Sequence, residues 1–320
     1  MTVINVADDL EPFRTELIGY CYRYFGSIAE AEDAVQEAMT RAWMNADTFE
    51  GRSSVRTWLY RIATNVCLDM RDAAQRRALP CDLTGPGEVP AGPAGLTAAP
   101  AEAWLTPIAD RLLFAGIDDP AERAATRESV RFAFLSALQL LPPRQRVVLI
   151  LRDVLSWTAR ETAELLELSV DSVNSALARA RRTVASHDTA ASRSPDSEEE
   201  RTLLTRYTDA FERYDVDALV DLLAADATFT MPPYELWLQG HEVIRRWWDG
   251  PGRVCVGSRV VTAAVNGMPT VAVYHPTGTG DFAPFAVHAL QVHDGRIAGI
   301  THFLGAEVFA QLGLPEKISG

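Results

Sequence analysis

A change of hydrophobic period divides this chain more sharply than any single motif. From residue 9 to 80, and again from about residue 120 to 184, apolar side chains recur every three or four positions, which lays one apolar stripe along an α-helix. Beyond residue 201, helical stretches at 201–213 and 216–223 give way to runs such as ATFTMP, SRVVTAAVNG, TVAVYHP and FAVHALQVHDGRIAGITHF. Those runs alternate and favour β-branched residues, as half-buried strands do, and Asp294-Gly295 stands where a hairpin turn belongs. Proline and glycine then locate the seams. No proline occurs between Pro12 and Pro80, after which CDLTGPGEVPAGPAGLTAAPAEAWLTP (81–107) is dense in Pro, Gly and Ala. That segment reads as a linker with no packed core. A second polar stretch, SHDTAASRSPDSEEE, precedes the strand-rich part. The expected order is a helical domain at 9–80, a linker at 81–124, a helical domain at 125–186, a linker at 187–200 and an α+β domain at 201–320. A length of 320 residues lets each domain bury its own core.

The segment WTARETAELLELSVDSVNSALARARRTV (157–184) has the grammar of a DNA-reading element. Thr158 and Glu161 form a capping box that starts a first helix with Ala163 and Leu166 facing inward. Ser169 is a natural N-cap for a second helix, on which Val170, Val173, Leu177, Ala180 and Val184 keep an apolar stripe. The other face offers Ser169, Asp171, Ser172, Asn174, Ser175, Arg179 and Arg182. Short polar residues at the N-terminal end of such a helix reach base edges, and arginines further along clamp phosphates. Any amphipathic helix pair shares part of this pattern. Glu167 occupies the turn where glycine is common, so a left-handed residue there is strained and a differently shaped turn is expected.

The context of that element is specific. ALQLLPPRQRVVLILRDVLSWTARETAELLELSVDSVNSALARARR resembles the promoter −35-reading domain of the sigma-70 family of initiation factors, extracytoplasmic-function type. AEDAVQEAMTRAW (31–43) resembles that family's polymerase-docking helix, and RSSVRTWLYRIATNVCLDMRDAAQRR (52–77) its −10-melting helix. The resemblance implies three sets of roles. Asp33, Gln36 and Glu37 form a polar edge that binds the polymerase core, while Ala34, Val35, Ala38 and Trp43 hold the helix to its own domain. Arg52, Arg56, Arg61 and Asn65 act on the −10 element, and the seven polar residues above act on the −35 element. Trp58 shares a face with Val55, Leu59 and Ile62 and reads as core more than as a base-stacking platform. The implied partners are the core polymerase, through its beta-prime clamp and beta flap, and promoter DNA.

Charge fits a subunit better than an independent DNA binder. The chain carries a net charge of −13, and residues 141–186 hold seven arginines against five acids. So few phosphate contacts release too few counterions for tight binding alone, whereas a polymerase core supplies the remaining grip. Four dispersed cysteines, Cys21, Cys67, Cys81 and Cys255, have no zinc spacing and read as reduced thiols; no metal or cofactor is expected. The N-terminal MTVINVADDL lacks signal-peptide features and no apolar run is long enough to span a bilayer, so a cytoplasmic protein without membrane contact is expected.

The remaining part resembles the SnoaL-like, ketosteroid-isomerase-like cone fold, on RTLLTRYTDAFERYDVDALVDLLAADATFTMPP, QGHEVIRRWW and HALQVHDGRIAGITHFL. The fold class implied is multidomain: two all-α sigma domains, the second a helix-turn-helix, followed by an α+β cone. Candidate residues of a ligand pocket are Met231, Tyr234, Trp237, Trp247, Trp248, His288 and His302, with His275 nearby. Asp226 and His288 come nearest to a catalytic base, but no catalytic residue is assigned, because fold alone does not license activity. The expectation is an alternative sigma factor regulated in cis by its tail, with a small-molecule ligand as a candidate partner. The competing readings are a one-component ligand-sensing transcription factor and a bifunctional protein with a cyclase- or isomerase-like tail.

Overall fold

The computed structural model describes residues 10–51, 53–70, 76–92, 95–187, 197–278 and 280–319. The chain forms two compact units, each discontinuous in sequence. The first joins Met1–Arg77 to Arg111–Ala190, and the second joins Ala78–Asp110 to Ala191–Gly320.

The first unit is helical. Helices α1 (Arg14–Phe25), α2 (Ile28–Met44) and α3 (Val55–Met70) come first. Gly26, left-handed at φ 71°, ends α1, and the Ser27 hydroxyl accepts from the Glu30 amide to start α2. Small residues on α2 (Ala31, Ala34, Ala38) are fully buried, which lets the helices approach closely, and Tyr20 of α1 shares a 2.8 Å hydrogen bond with Thr64 of α3. The buried Cys21 and Cys67 sulfurs lie 3.6 Å apart as free thiols. Helices α4 (Pro120–Glu128), α5 (Phe132–Gln139), α6 (Pro143–Leu149), α7 (Ala159–Leu166) and α8 (Val170–Ala185) complete this unit, with a π-helical turn at Ile150–Val154 after α6. Arg146, from the LPPRQR stretch, is 3% exposed. Its guanidinium donates to the carbonyls of Tyr24 (2.6 Å) and Gln139 (3.0 Å) and to Gln139 Oε1 (2.8 Å), tying α6 to the end of α1.

The second unit is α+β. Helices α9 (Ser197–Glu212), α10 (Val216–Asp221) and α11 (His241–Asp249) pack on a sheet of seven strands. The strands are β1 (Leu223–Thr230), β2 (Trp237–Gln239), β3 (Arg259–Val265), β4 (Met268–Pro276), β5 (Asp281–His293), β6 (Arg296–Leu304) and β7 (Ile318–Ser319); helix α12 (Ala306–Leu312) follows β6. Their order is β2-β1-β6-β5-β4-β3, with β7 on β5, and only β1–β6 is parallel. Asp294 (φ 48°) and Gly295 (φ 71°) turn the β5–β6 hairpin as expected. Asn266 (φ 53°) and Gly267 (φ 69°) do the same between β3 and β4, an Asn-Gly signal that the sequence reading passed over. Lys317, the only lysine in the chain, pairs with Asp281 beside β7.

Two expectations about packing are corrected. The 81–107 segment is not an unpacked linker: residues 78–110 belong to the second unit, where Trp104, Leu105 and Ile108 are buried. Its composition disfavours α-helix, leaving short 3-10 turns at Pro80–Asp82 and Ala101–Ala103, and leaves extended backbone free to pair with the sheet's edges. At the β2 edge the Gly87 amide donates to the Trp237 carbonyl (2.8 Å) and Trp237 Nε1 donates to the Thr84 carbonyl (2.9 Å). Ala99 and Glu235 amides donate to the Pro233 and Thr97 carbonyls. At the β3 edge the Asn266 side chain accepts from the Ile108 amide (3.0 Å), and the Asn266 amide donates to the Ile108 carbonyl (3.1 Å). Secondly, Trp43 does not hold α2 to its domain: it is 65% exposed at the end of the helix, beside Met44 at 72%.

Candidate nucleic-acid interface and tail cavity

The DNA-reading element forms as its caps dictate. The Thr158 hydroxyl accepts from the Glu161 amide while the Glu161 carboxylate accepts from the Thr158 amide, which starts α7. The Ser169 hydroxyl accepts from the Ser172 amide at the head of α8. Between them Glu167 takes the left-handed conformation after all (φ 55°, ψ 44°), and the Leu168 amide closes the turn on the Ala163 carbonyl. The turn thus keeps its ordinary shape and tolerates a strained glutamate. Val173, Leu177 and Ala180 are buried, but Val170 is 42% exposed and leaves the apolar stripe, because the first residue of α8 stands clear of the helices below. Leu166 is only half-buried, and Leu165 takes the inward place beside Ala163. Ser169, Asp171, Ser172, Asn174, Ser175, Arg179 and Arg182 are all exposed along one helix. Arg181 is held instead by Asp153, through two bonds of 2.8 and 2.7 Å.

The polar edge of α2 is also open. Asp33, Gln36 and Glu37 are exposed, and Glu37 accepts from Arg41 at 2.7 Å, which in turn reaches Asp69 at 2.9 Å. The residues assigned to the −10 element are less free. Arg52 lies outside the described residues. Arg56 Nε donates to Glu16 Oε1 at 2.8 Å, the carboxylate that also accepts from the Tyr60 hydroxyl. The Arg56 guanidinium lies 5.7 Å from the Trp157 ring, and Trp157 packs on Tyr60 at 5.2 Å. Arg61 donates to the Glu164 carbonyl of α7 at 3.2 Å, and Asn65 is exposed. Trp58 is half-buried against Phe49.

The tail holds a partly open cavity of about 240 Å³. Met231, Tyr234, Trp247, Trp248 and His302 line it as expected; Trp237 and His288 do not. Trp237 is drawn to the 84–99 segment by the bonds described above. His288 lies behind the wall, directly opposite His302 in the β5–β6 register, with the two rings stacked at 3.7 Å. The His288 Nδ1 meets the Tyr207 hydroxyl at 3.0 Å. Burial pushes the His288 pKa down to about 3, with His275 adding to the effect, and drives His302 well below its ordinary value for the same reason, so both rings stay neutral. Wall residues that sequence reasoning missed are Phe211, Cys255 and Phe285, together with Gly92 and Leu96 of the segment between the helical domains. No carboxylate belongs to the wall, and Asp226 is exposed on β1, which removes it as a base aimed into the cavity. Among the described residues no cluster of His, Cys, Asp and Glu could hold a metal ion, and no helix is long and apolar enough to cross a membrane.

Three family patterns match this chain: Sigma-70 region 2 at residues 10–77, Sigma-70 region 4 at 131–184 and a SnoaL-like domain at 204–300. The ECF RNA polymerase sigma factor SigG of Mycobacterium tuberculosis is 43% identical over 316 residues, 96% of this chain and 83% of that protein. The ECF RNA polymerase sigma factor SigJ of the same organism is 28% identical over 324 residues, 97% of this chain and 95% of that protein. The crystal structure of SigJ superimposes with a TM-score of 0.59 at 25% identity, covering 97% of this chain and 99% of that one.

Proposed function

Because this chain belongs to the extracytoplasmic-function sigma factors of the sigma-70 family, we propose that it directs core RNA polymerase to promoters through α2, α3 and α8, under control in cis by its tail. The α2 edge of Asp33, Gln36 and Glu37 docks on the polymerase clamp. Arg56, Arg61 and Asn65 on α3 engage the −10 element, and Arg52 is assigned the same role from the sequence alone. The region around α7 and α8 meets the flap and the −35 element, where Asn174 and Ser175 face base edges and Arg179 and Arg182 hold phosphates.

The observation that carries this reading is the row on α8. Seven polar residues stand exposed on a helix whose opposite side is buried, behind a properly capped turn. Any amphipathic helix exposes polar residues, and what supports the reading is that this row follows a capped turn inside the segment that matches Sigma-70 region 4. The tail is read as a regulator and not an enzyme, since its relatives here are sigma factors and its cavity wall offers no carboxylate base. The edges of its sheet hold the very segment that joins the two helical domains, which gives it a physical handle on them.

Binding of the full-length protein to core polymerase tests the assignment without knowledge of the promoter. Micromolar or tighter binding is expected, weakened at least about tenfold by Asp33→Ala with Glu37→Ala. Absence of binding would place the protein among independent operator binders. Control by the tail is tested with Asn266→Ala, which removes the oxygen that accepts from the Ile108 amide; a changed core affinity with an unchanged fold is expected. Identical affinity in wild type and variant would count against control through this segment.

A further inference from the structure

Arg181 stands among the DNA-reading residues of α8 but is tied to an acid of its own domain. Seven residues separate it from Asn174, close to two turns of α-helix, so the two share a face about 10 Å apart along the axis. Its guanidinium donates twice to the Asp153 carboxylate in the π-helical turn, Nε to Oδ2 at 2.8 Å and Nη2 to Oδ1 at 2.7 Å. Arginine takes a phosphate with the same two-pronged fork. Among the described residues, Arg179 and Arg182 of the same helix have no acidic partner.

We propose that Asp153 is an internal phosphate surrogate: it occupies the Arg181 guanidinium that would otherwise clamp the DNA backbone, and so holds down the protein's affinity for DNA of any sequence.

Position sets the first part. With Asn174 at base edges in a major groove about 12 Å wide, a residue about 10 Å further along the same face stands at the groove's rim, level with phosphates. Chemistry sets the next. A guanidinium keeps its charge at every physiological pH, and Asp153 holds it there more firmly still, so only a competing anion can silence it. The pair is open to solvent, with 60% of the Arg181 side chain and 29% of the Asp153 side chain exposed. Pairs this exposed add little to stability, and a phosphate can reach the same nitrogens. A phosphate that displaces Asp153 exchanges one anion for another and gains little. Residues 141–186 hold only seven arginines against five acids, so one silenced arginine is a large share of the grip. A subunit that meets promoters through the polymerase benefits, because the unassembled chain does not spread over non-specific sites. The inference rests on the reading of α8 as a DNA reader, and adds the residue that limits its backbone grip.

The test measures binding of the free full-length chain to a fluorescein-labelled duplex of arbitrary sequence, by anisotropy across a series of NaCl concentrations. Asp153→Asn is expected to bind about three- to tenfold more tightly than wild type near 0.1 M salt, with a slope of log affinity against log salt steeper by about 1. Arg181→Ala breaks the same ion pair without freeing a cation, and should match the wild type in affinity and slope. Damage to the fold would weaken both variants and cannot produce a gain in one. Asp153→Asn added to Arg181→Ala should change nothing further. Equal or weaker binding by Asp153→Asn would overturn the proposal. So would a shallower slope in Arg181→Ala, which would mean that Arg181 already holds a phosphate. A gain that persists in the double variant would overturn it too, since the acid would then act by general repulsion. Arg182→Ala in the same assay should make the slope shallower; an unchanged slope would take α8 out of the DNA interface, so failure of the underlying reading is told apart.

Discussion

At the scale of single residues, Glu167 and His302 show where ordinary preferences are overridden. Glu167 sits in a left-handed conformation that costs a non-glycine residue roughly 1–2 kcal/mol, because the turn between α7 and α8 demands it. Glu167→Gly should therefore raise the unfolding free energy by about 1 kcal/mol, read from urea melts, without changing the caps on either side. The stacked pair His288 and His302 makes stability depend on pH. Folding holds both imidazoles neutral, with pKa values below the unfolded value of about 6.5. Their contribution is present in full above pH 6.5 and is lost as pH falls, since the unfolded chain takes up the protons that the folded one refuses. Stability should therefore fall as pH drops below about 6.5, each ring adding a slope of at most about 1.4 kcal/mol per pH unit. His302→Phe should flatten the profile by one ring's share, as followed by denaturant melts across the range.

At the scale of elements, α8 behaves as its sequence requires. Arg182→Ala should reduce the slope of log affinity against log salt by about 1 for promoter binding by the assembled polymerase, with little change in sequence preference. Asn174→Ala should instead relax preference at one position of the −35 element, a contrast that competition between promoter variants resolves. The elements legible in the sequence were those with local determinants. The Thr158–Glu161 box, the Ser169 cap and the Asp294-Gly295 turn act within a few residues, and each stands where the pattern put it. What stayed hidden depends on distant partners. Nothing near Trp43 says that no neighbour will cover it, and nothing near Trp237 says that Thr84 will claim its indole. The run AWLTPIA at 103–109 did carry a clue, being too apolar for an exposed linker, but the surrounding prolines and glycines outweighed it. Of the cavity, the aromatic wall could be read from composition, whereas Gly92 and Leu96 entered it only through the long-range pairing of their segment.

At the scale of the molecule, the first unit holds its two readers together. Arg61 of α3 touches α7 at 3.2 Å. Elements named for positions −10 and −35 are about 25 base pairs apart by those names, roughly 85 Å along B-form DNA at about 3.4 Å per pair. If α3 and α8 read those two elements of one promoter, the contact of Arg61 with α7 has to open for both to bind at once. Trp157→Ala removes the ring that packs on Tyr60 and faces Arg56. It should destabilise the closed form by about 3 kcal/mol and so tighten binding to core polymerase, as followed by fluorescence anisotropy. Weaker or unchanged binding would mean that this packing does not oppose assembly.

The discontinuity of the second unit also bears on how the protein is made. Residues 78–110 leave the ribosome long before Trp237 and Asn266, which receive them. At about 5–20 residues per second, some 8–30 seconds separate the synthesis of Ile108 from that of Asn266. Once residue 186 has been made both helical domains are complete, while the tail whose sheet receives residues 78–110 does not yet exist. A nascent chain thus carries both sigma regions before its SnoaL-like domain is made. Release of messages broken between codons 186 and 237 would yield chains that carry both sigma regions and no tail domain.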